Sequence, residues 1–278
     1  MGKHTHNITL PIRYPLKLAY ILSLIIALLV AITSITGVLY GTVVYPTADL
    51  FQAFMPNDVV NLCLGIPVLL GSMWLTRQGQ LVGLLFWPGA IFFVLYTYIA
   101  YIFALPLNII FLPCLILVVL SAGTLGYLVA SIDGKIIQQQ LVGVVPERVS
   151  GSTLVGFGLL FFLRVIGVMV NALVSQTPIA TAEFSVLIAD FIITPAWIIG
   201  GISLWRRQTL GYMTGLGLLF QASLLFIALL MVMCLQPLLT AAPLNVTDIV
   251  VVATMGTVCF IPFILFNRGI ISRHYSQV

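Results

Sequence analysis

The chain has 278 residues, of which 61% are hydrophobic and only 6% are charged. A soluble domain carries about 25% charged residues, so this composition excludes a water-soluble fold of this size. The formal net charge of +4 is not accompanied by basic residues interleaved with aromatic ones, and nucleic-acid binding is therefore not expected. The composition predicts an all-α integral membrane protein whose surroundings are the lipid bilayer.

Apolar runs between helix breakers predict eight transmembrane helices. In chain order they cover about residues 17–44, 57–76, 80–104, 108–130, 153–174, 184–205, 209–234 and 246–267. The first run is far longer than the apolar region of a signal peptide, which has about 7–15 residues, so it is interpreted as a spanning helix. The connections are short, and no separate soluble domain is expected.

The basic residues indicate how these helices are oriented. Ten of the eleven Lys and Arg residues lie before span 1, in the loops after spans 2, 4 and 6, or after span 8. The loops on the other side contain none. The positive-inside rule therefore predicts that both termini are cytoplasmic. A miscounted span would mix the two classes of loop, so the same separation supports the number eight.

Recurring residues indicate an internal duplication. Four residues of the first half recur 132 positions later, so that Pro46, Asp58, Gly79 and Gly83 match Pro178, Asp190, Gly211 and Gly215. The pattern predicts two four-helix repeats, residues 1–135 and 136–278. Four spans return the chain to its starting side, so the repeats would be parallel, as in one class of secondary transporter. Chance matching of apolar sequence is the alternative.

Arg164 is the one basic residue inside a predicted span, near the middle of span 5. An arginine at that depth costs about 3 kcal/mol or more unless it is paired or hydrated, so we expect its side chain to face the bundle interior. Asp190 lies within its reach on span 6, and Asp58 is the matching carboxylate at the outer end of span 2. The sequence therefore predicts either a charge cluster of Arg164, Asp190 and Asp58 that opens to the outer face, or an ion pair that only orients spans 5 and 6.

Four further polar residues inside spans are candidates to line the same space: Asn61, Tyr98, Asn171 and Gln221. A tyrosine in a span is equally consistent with packing or with an anchor at the membrane interface. The four cysteines lie in apolar runs without a CxxC pair, and the three histidines lie in the tails. No metal site is expected, because zinc needs three or four converging ligands, and no cofactor is expected.

Two stretches of the sequence are distinctive. They are Leu84-Leu85-Phe86-Trp87-Pro88-Gly89 with Tyr96-Thr97-Tyr98, and Leu204-Trp205-Arg206-Arg207 followed by Leu210-Gly211-Tyr212. They resemble a set of prokaryotic multi-pass membrane proteins to which no activity is attached. The resemblance covers spans 2–3 and 6–7. It implies the polytopic architecture and a prokaryotic cytoplasmic membrane, and it implies no activity.

The function expected from these features is the binding or translocation of a small solute or lipid near Arg164 and Asp190, without ATP hydrolysis. One alternative is a non-catalytic accessory or assembly subunit. Another is an intramembrane enzyme that uses Asp190 or Asp58 as an acid or base, which the sequence does not favour. A transporter needs a polar cavity that reaches mid-membrane, an enzyme needs carboxylates that converge on one point, and an assembly subunit needs neither. The oligomeric state is left open.

Overall fold

The computed structural model describes residues 10–276, and its side chains through residue 272. Within this range the chain is helical apart from turns and one antiparallel pairing of Ile12 with Ile132. Eight helices are long and apolar enough to cross a membrane. This confirms a multi-pass integral membrane protein with the predicted number of spans. Lys3 and the side chain of Arg273, which entered the orientation argument, lie outside the described part.

The helices are labelled in chain order, with one π-helical segment inside the second span. They are α1 (Lys17–Leu39), α2 (Gly41–Val44), α3 (Ala48–Val60), the π segment (Asn61–Gly65), α4 (Ile66–Arg77), α5 (Leu81–Ala104), α6 (Phe111–Ser131), α7 (Gly134–Leu141), α8 (Glu147–Ser175), α9 (Thr181–Trp205), α10 (Thr209–Leu239) and α11 (Val246–Ser276). The short helices α2 and α7 lie between spans, whereas α3, the π segment and α4 together form span 2.

Several spans differ from their predicted bounds. Span 5 begins at Glu147 rather than near residue 153, and spans 7 and 8 extend to Leu239 and Ser276 rather than to about 234 and 267. Span 1 ends at Leu39 rather than near residue 44, and a separate short helix follows. Span 2 begins at Ala48, because the hydroxyl of Thr47 accepts a hydrogen bond from the backbone N–H of Leu50 and caps the helix. This N-cap is a standard helix start signal. As a result Asp58 lies well inside span 2, and its expected place at the outer end is wrong.

The π segment has a local cause in Pro67. Proline lacks the N–H that would bond to the carbonyl four residues earlier, and its ring clashes with that carbonyl. The backbone widens instead, and the N–H of Ile66 bonds to the carbonyl of Asn61, five residues back. π segments of this kind are common at functional sites.

Helix α5 is the centre of the bundle, with most of its side chains buried. It packs against α4 and α6, its neighbours in sequence, and against α9 and α10 of the other half. Helix α10 in turn packs against α3, α5, α9 and α11. Helices α4, α6, α9 and α10 therefore share one core around α5. Helices α8 and α11 lie at the periphery.

Glycines allow α5 and α10 to cross in close contact. A Cβ added at Gly89 would meet the carbonyl oxygen of Gly217, and one added at Gly217 would lie 2.9 Å from the carbonyl oxygen of Leu85. Small residues at such crossings let helix backbones approach in lipid. The contact fixes the height at which the two halves of the chain meet.

Of the four recurring glycines, which lie near the starts of spans 3 and 7, all but Gly79 are in helices. Gly79 lies in the turn before α5 with a φ of 79°, a left-handed conformation that suits glycine. Gly83 packs against Leu75 and Thr76 of the preceding helix, and Gly211 packs against Leu204 in the same way. Gly83 and Gly211 therefore make the same kind of contact, each near the start of its helix and against the end of the preceding one.

Hydrogen bonds join the loops on each side of the bundle. On one side, called the basic side here, Arg13 pairs with Asp133 at 3.2 Å, and the amide of Gln138 donates to the carbonyl of Arg207. On the opposite side, the carboxylate of Asp49 accepts from the backbone N–H of Ala182 at 3.0 Å. The loops after spans 4 and 6 thus meet on one side, and those after spans 1 and 5 on the other.

The crossing at Gly89 predicts a clear difference between two alanine substitutions. Gly89→Ala is expected to lower the free energy of unfolding by about 1–3 kcal/mol, because overpacking forces the backbones apart. Gly123→Ala on α6, where an added Cβ meets nothing within 4 Å, should be neutral or stabilising, since alanine favours helix more than glycine. Thermal unfolding of both purified variants in detergent measures this, and equal melting temperatures would contradict the crossing.

Candidate functional site

Asp190 is the centre of a polar cluster formed by three helices. Its Oδ1 accepts a hydrogen bond from the hydroxyl of Tyr96 at 2.8 Å, and its Oδ2 accepts one from Nη1 of Arg164 at 3.1 Å. The side chain of Asp190 is 6% exposed. Both carboxylate oxygens are therefore satisfied, one by a neutral donor on α5 and one by a cation on α8.

Close packing of α8 on α9 brings Arg164 to Asp190. A Cβ at Gly151 would lie 2.7 Å from the carbonyl oxygen of Gly201, and a Cβ at Gly158 would lie 3.3 Å from that of Thr194. The ion pair of Arg164 and Asp190 lies further along the same two antiparallel helices. The rings of Phe162 and Phe191 stack beside it with centroids 5.5 Å apart. This packing brings the guanidinium of Arg164 within hydrogen-bond distance of Asp190 on the antiparallel neighbouring helix.

Arg164 does not face the bundle interior. Its side chain is 41% exposed, because it lies at the edge between the buried and the outward faces of α8. Only the end of the guanidinium reaches inward to Asp190. The expectation that the Arg164 side chain faces the interior is wrong. A long side chain at the edge of the bundle can extend inward and neutralise a buried carboxylate.

Asp58 forms a second cluster at the junction of the first three spans. Its Oδ2 accepts from the hydroxyl of Tyr45 at 2.5 Å, and its Oδ1 accepts from the hydroxyl of Tyr101 at 2.9 Å. The residue is fully buried. Gly37 on α1 makes room for it, since an added Cβ there would collide with the Asp58 carboxyl group and with the hydroxyl of Tyr45.

The clusters around Asp58 and Asp190 have one hydrogen-bond donor of the same kind and differ in the other. Each aspartate takes one hydroxyl from a tyrosine of α5, Tyr101 for Asp58 and Tyr96 for Asp190. The other donor is the neutral Tyr45 in one cluster and the cationic Arg164 in the other. Within the described residues Asp58 makes no hydrogen bond to the Arg164–Asp190 pair. The structure therefore joins Arg164 and Asp190, whereas Asp58 has its own partners and binds a tyrosine five positions further along α5.

The four residues predicted to line a cavity have different surroundings. Tyr98 is buried, and its hydroxyl lies 2.7 Å from that of Thr33. Gln221 is buried, and its side-chain oxygen accepts from the indole N–H of Trp197 at 2.7 Å. Asn61 is buried at the start of the π segment. Asn171 lies exposed on α8, so it does not line the interior of the bundle.

Two buried side-chain amide nitrogens are without a partner among the described residues. They are Nδ2 of Asn61 and Nε2 of Gln221. A buried donor that makes no hydrogen bond costs about 1–3 kcal/mol, and most buried polar groups in native proteins are satisfied. Asn61 is in the π segment, which packs against α1 and α5, and Gln221 is on α10, which also packs against α5. Both amides can donate to an acceptor that enters the core.

Sequence reasoning missed the tyrosines that hold the two carboxylates. Tyr96 and Tyr101 are five positions apart on α5, a spacing that does not place them on one helix face and gives no motif. Tyr45 lies next to Pro46 in a connection between spans, where nothing in the sequence distinguishes it from an interface anchor. The one signal that could have identified the pair on α5 is the occurrence of three tyrosines within six residues, Tyr96, Tyr98 and Tyr101.

Comparison with known proteins gives no relative from which a function could be transferred. No family model, no curated protein and no solved structure matches this chain. The sites therefore have to be interpreted from their own geometry.

The hydroxyl of Tyr101 is expected to contribute to stability. Tyr101→Phe removes the donor to Oδ1 of a fully buried carboxyl group, and the free energy of unfolding should fall by about 1–3 kcal/mol. Tyr40→Phe, at a tyrosine that is 61% exposed, is the matched control and should have no effect. Unfolding in detergent followed by circular dichroism compares the two, and indistinguishable variants would show that Tyr101 does not support Asp58.

Proposed function

We propose that the protein binds and passes a small polar solute, or the polar group of a lipid, at Asp58 and Asp190 without ATP hydrolysis. One observation carries this proposal. Each buried aspartate is followed by a proline in its own spanning helix: Pro67 lies nine positions after Asp58, beyond the π segment, and Pro195 lies five positions after Asp190 inside the continuous helix α9. Interrupted spans in corresponding positions of two halves mark the binding site in many secondary transporters.

The chemistry of the two clusters suggests what such a solute offers. The charge of Asp58 has only hydroxyl partners among the described residues, and a buried charge without a counter-ion is costly. A cationic group or a proton would neutralise it. The unpartnered amides of Asn61 and Gln221 favour a hydrogen-bond acceptor on the same solute. A small zwitterion or a protonated polar compound satisfies both requirements.

The internal duplication belongs to this proposal. Gly83 and Gly211 make the same contact with the preceding helix, and Gly89 and Gly217 meet each other at the crossing of α5 and α10. Both pairs are 128 positions apart, whereas the aspartates are 132 apart. A parallel pseudo-two-fold relation between residues 1–135 and 136–278 accounts for these pairs, with its axis through the glycine crossing. The aspartates then differ in depth by about one helical turn.

The orientation also belongs to this proposal. The basic side carries the loops with Arg77, Lys135 and Arg207, and the opposite side carries Asp49, Glu183 and Asp248. By the positive-inside rule the basic side and both termini are cytoplasmic, as expected for a prokaryotic cytoplasmic membrane.

Of the two other function classes, one has a specific observation in its favour. The half-exposed Arg164 suits an accessory or assembly subunit, because a charge on the lipid-facing side of a span needs a partner. For an intramembrane enzyme the two carboxylates would have to converge on one point. Asp58 and Asp190 bind tyrosines five positions apart on α5, and no observation favours catalysis.

The solute pathway predicts that water-soluble reagents reach the unpartnered amides. In a chain whose native cysteines are replaced, Asn61→Cys and Gln221→Cys should react with a membrane-impermeant thiosulfonate applied to proteoliposomes. Leu69→Cys, at a buried apolar position of α4, is the control and should stay unmodified. Mass spectrometry of the intact protein gives the extent of labelling.

The same labelling experiment can reject the pathway. If neither Asn61→Cys nor Gln221→Cys reacts from either side of the membrane while Cys variants of the loops do, the core is closed to solutes. The assembly class would then be the better account of the molecule.

The orientation can be tested in intact cells. Gln78→Cys on the basic side should be protected from an impermeant maleimide until the cells are opened, because its loop is predicted to be cytoplasmic. Thr247→Cys on the opposite side should react at once. The reverse pattern would overturn the orientation without affecting the number of spans.

A further inference from the structure

Helix α8 presents an outward face that combines a charge with small residues. Along this face lie Gly156, Leu160, Arg164, Gly167 and Asn171, all of them exposed. Their spacing of three or four positions places them on one side of the helix. An added Cβ at Gly156 or at Gly167 would meet nothing within 4 Å. We call these five residues the α8 face.

The depth of Arg164 makes this face unusual. Arg164 is eleven residues from the end of α8 at Ser175, which is about 16 Å at 1.5 Å per residue. That distance is about half the thickness of the hydrocarbon core. A guanidinium has five N–H donors, and Asp190 takes one of them at 3.1 Å. The exposed part of the side chain therefore presents donors and positive charge to lipid tails.

We propose that the α8 face receives a transmembrane helix of a partner protein that carries one carboxylate at the depth of Arg164. A carboxylate complements the charge, and two N–H groups of a guanidinium can bind it side by side. The glycines at 156 and 167 let the backbone of the partner helix approach closely, as small residues do in membrane helix pairs. The amide of Asn171 adds a polar group nearer the end of the helix.

A second copy of this chain does not fit the same face. A two-fold axis along the membrane normal would place one Arg164 opposite the other at the same depth. The exposed carboxylates that a copy could offer are Asp49, Glu183 and Asp248, which all lie in the first turns of their helices. The carboxylates at mid-depth, Asp58 and Asp190, are buried. The partner is therefore a different protein.

This inference does not depend on the solute site, because it concerns the outer surface of α8. The probe is a synthetic leucine-rich transmembrane peptide with one central glutamate, and its controls carry glutamine or leucine at that position. Fluorescence energy transfer between the labelled full-length protein and each peptide, both in liposomes at neutral pH, measures binding. The glutamate peptide is expected to bind at least about tenfold more tightly than the glutamine peptide, in keeping with a charge-assisted pair.

Two variants locate the binding. Arg164→Met should abolish the preference for glutamate. Gly167→Ile should weaken binding of the glutamate peptide, because a branched side chain blocks the close approach. The matched control is Gly126→Ile on α6, another exposed glycine with nothing within 4 Å of an added Cβ, and it should bind like the unmodified chain.

Three results would overturn the proposal. Equal binding of the glutamate, glutamine and leucine peptides to the unmodified protein would do so even if Arg164→Met fails to fold. A glutamate preference that survives in a folded Arg164→Met variant would place the site elsewhere. An anionic lipid that remains on the protein in native mass spectrometry, is lost in Arg164→Met and displaces the glutamate peptide would show that the guanidinium serves a lipid instead.

Discussion

A carboxylate inside a membrane has to be satisfied by the protein, and the bond network of Asp190 shows how this chain does it. Tyr96 and Arg164 each donate to one oxygen of the carboxylate. This requirement explains why α8 packs so closely on α9 through Gly151, Gly158 and Gly201, since a wider gap would separate the charges. The ion pair is asymmetric, with a buried acid and a half-exposed base. Arg164 therefore links the buried carboxylate to the lipid-facing surface of the bundle.

Helix α5, at the centre of the bundle, donates hydrogen bonds to both buried aspartates. Its tyrosines reach Asp58 in one half and Asp190 in the other, and its Gly89 lies against Gly217 of α10. A single buried helix thus sets the heights of both aspartates. The π segment after Asp58, and the missing N–H of Pro195 after Asp190, leave carbonyl groups that a helix without proline would have bonded. Such groups are tolerated at membrane depth only where protein or a polar cavity surrounds them.

The sequence was sufficient for the eight spans, because long apolar runs and the segregation of basic residues are strong signals. It also predicted that Arg164 and Asp190 would meet, from the short connection between their helices. It could not predict the exposure of Arg164, which depends on how α8 is rotated about its axis. The start of span 2 was misplaced because Asp49 and Asn57 resemble loop residues until Thr47 is recognised as a cap. The short helix α7, capped by Asp133, was missed because eight residues give too little periodicity. The contacts of Tyr45 and Tyr101 with Asp58 could not be predicted, because only the fold brings these residues together.

The central claim is that Arg164 and Asp190 act as one unit in the membrane. A double-mutant cycle with Arg164→Leu, Asp190→Leu and the double variant, followed by reversible unfolding in mixed micelles, tests it most directly. Each single variant leaves one charge without its partner and should lose about 3–5 kcal/mol of unfolding free energy. The double variant should be more stable than Arg164→Leu, because it buries no unpaired charge. Additive losses in the double variant would contradict the pairing of Arg164 with Asp190.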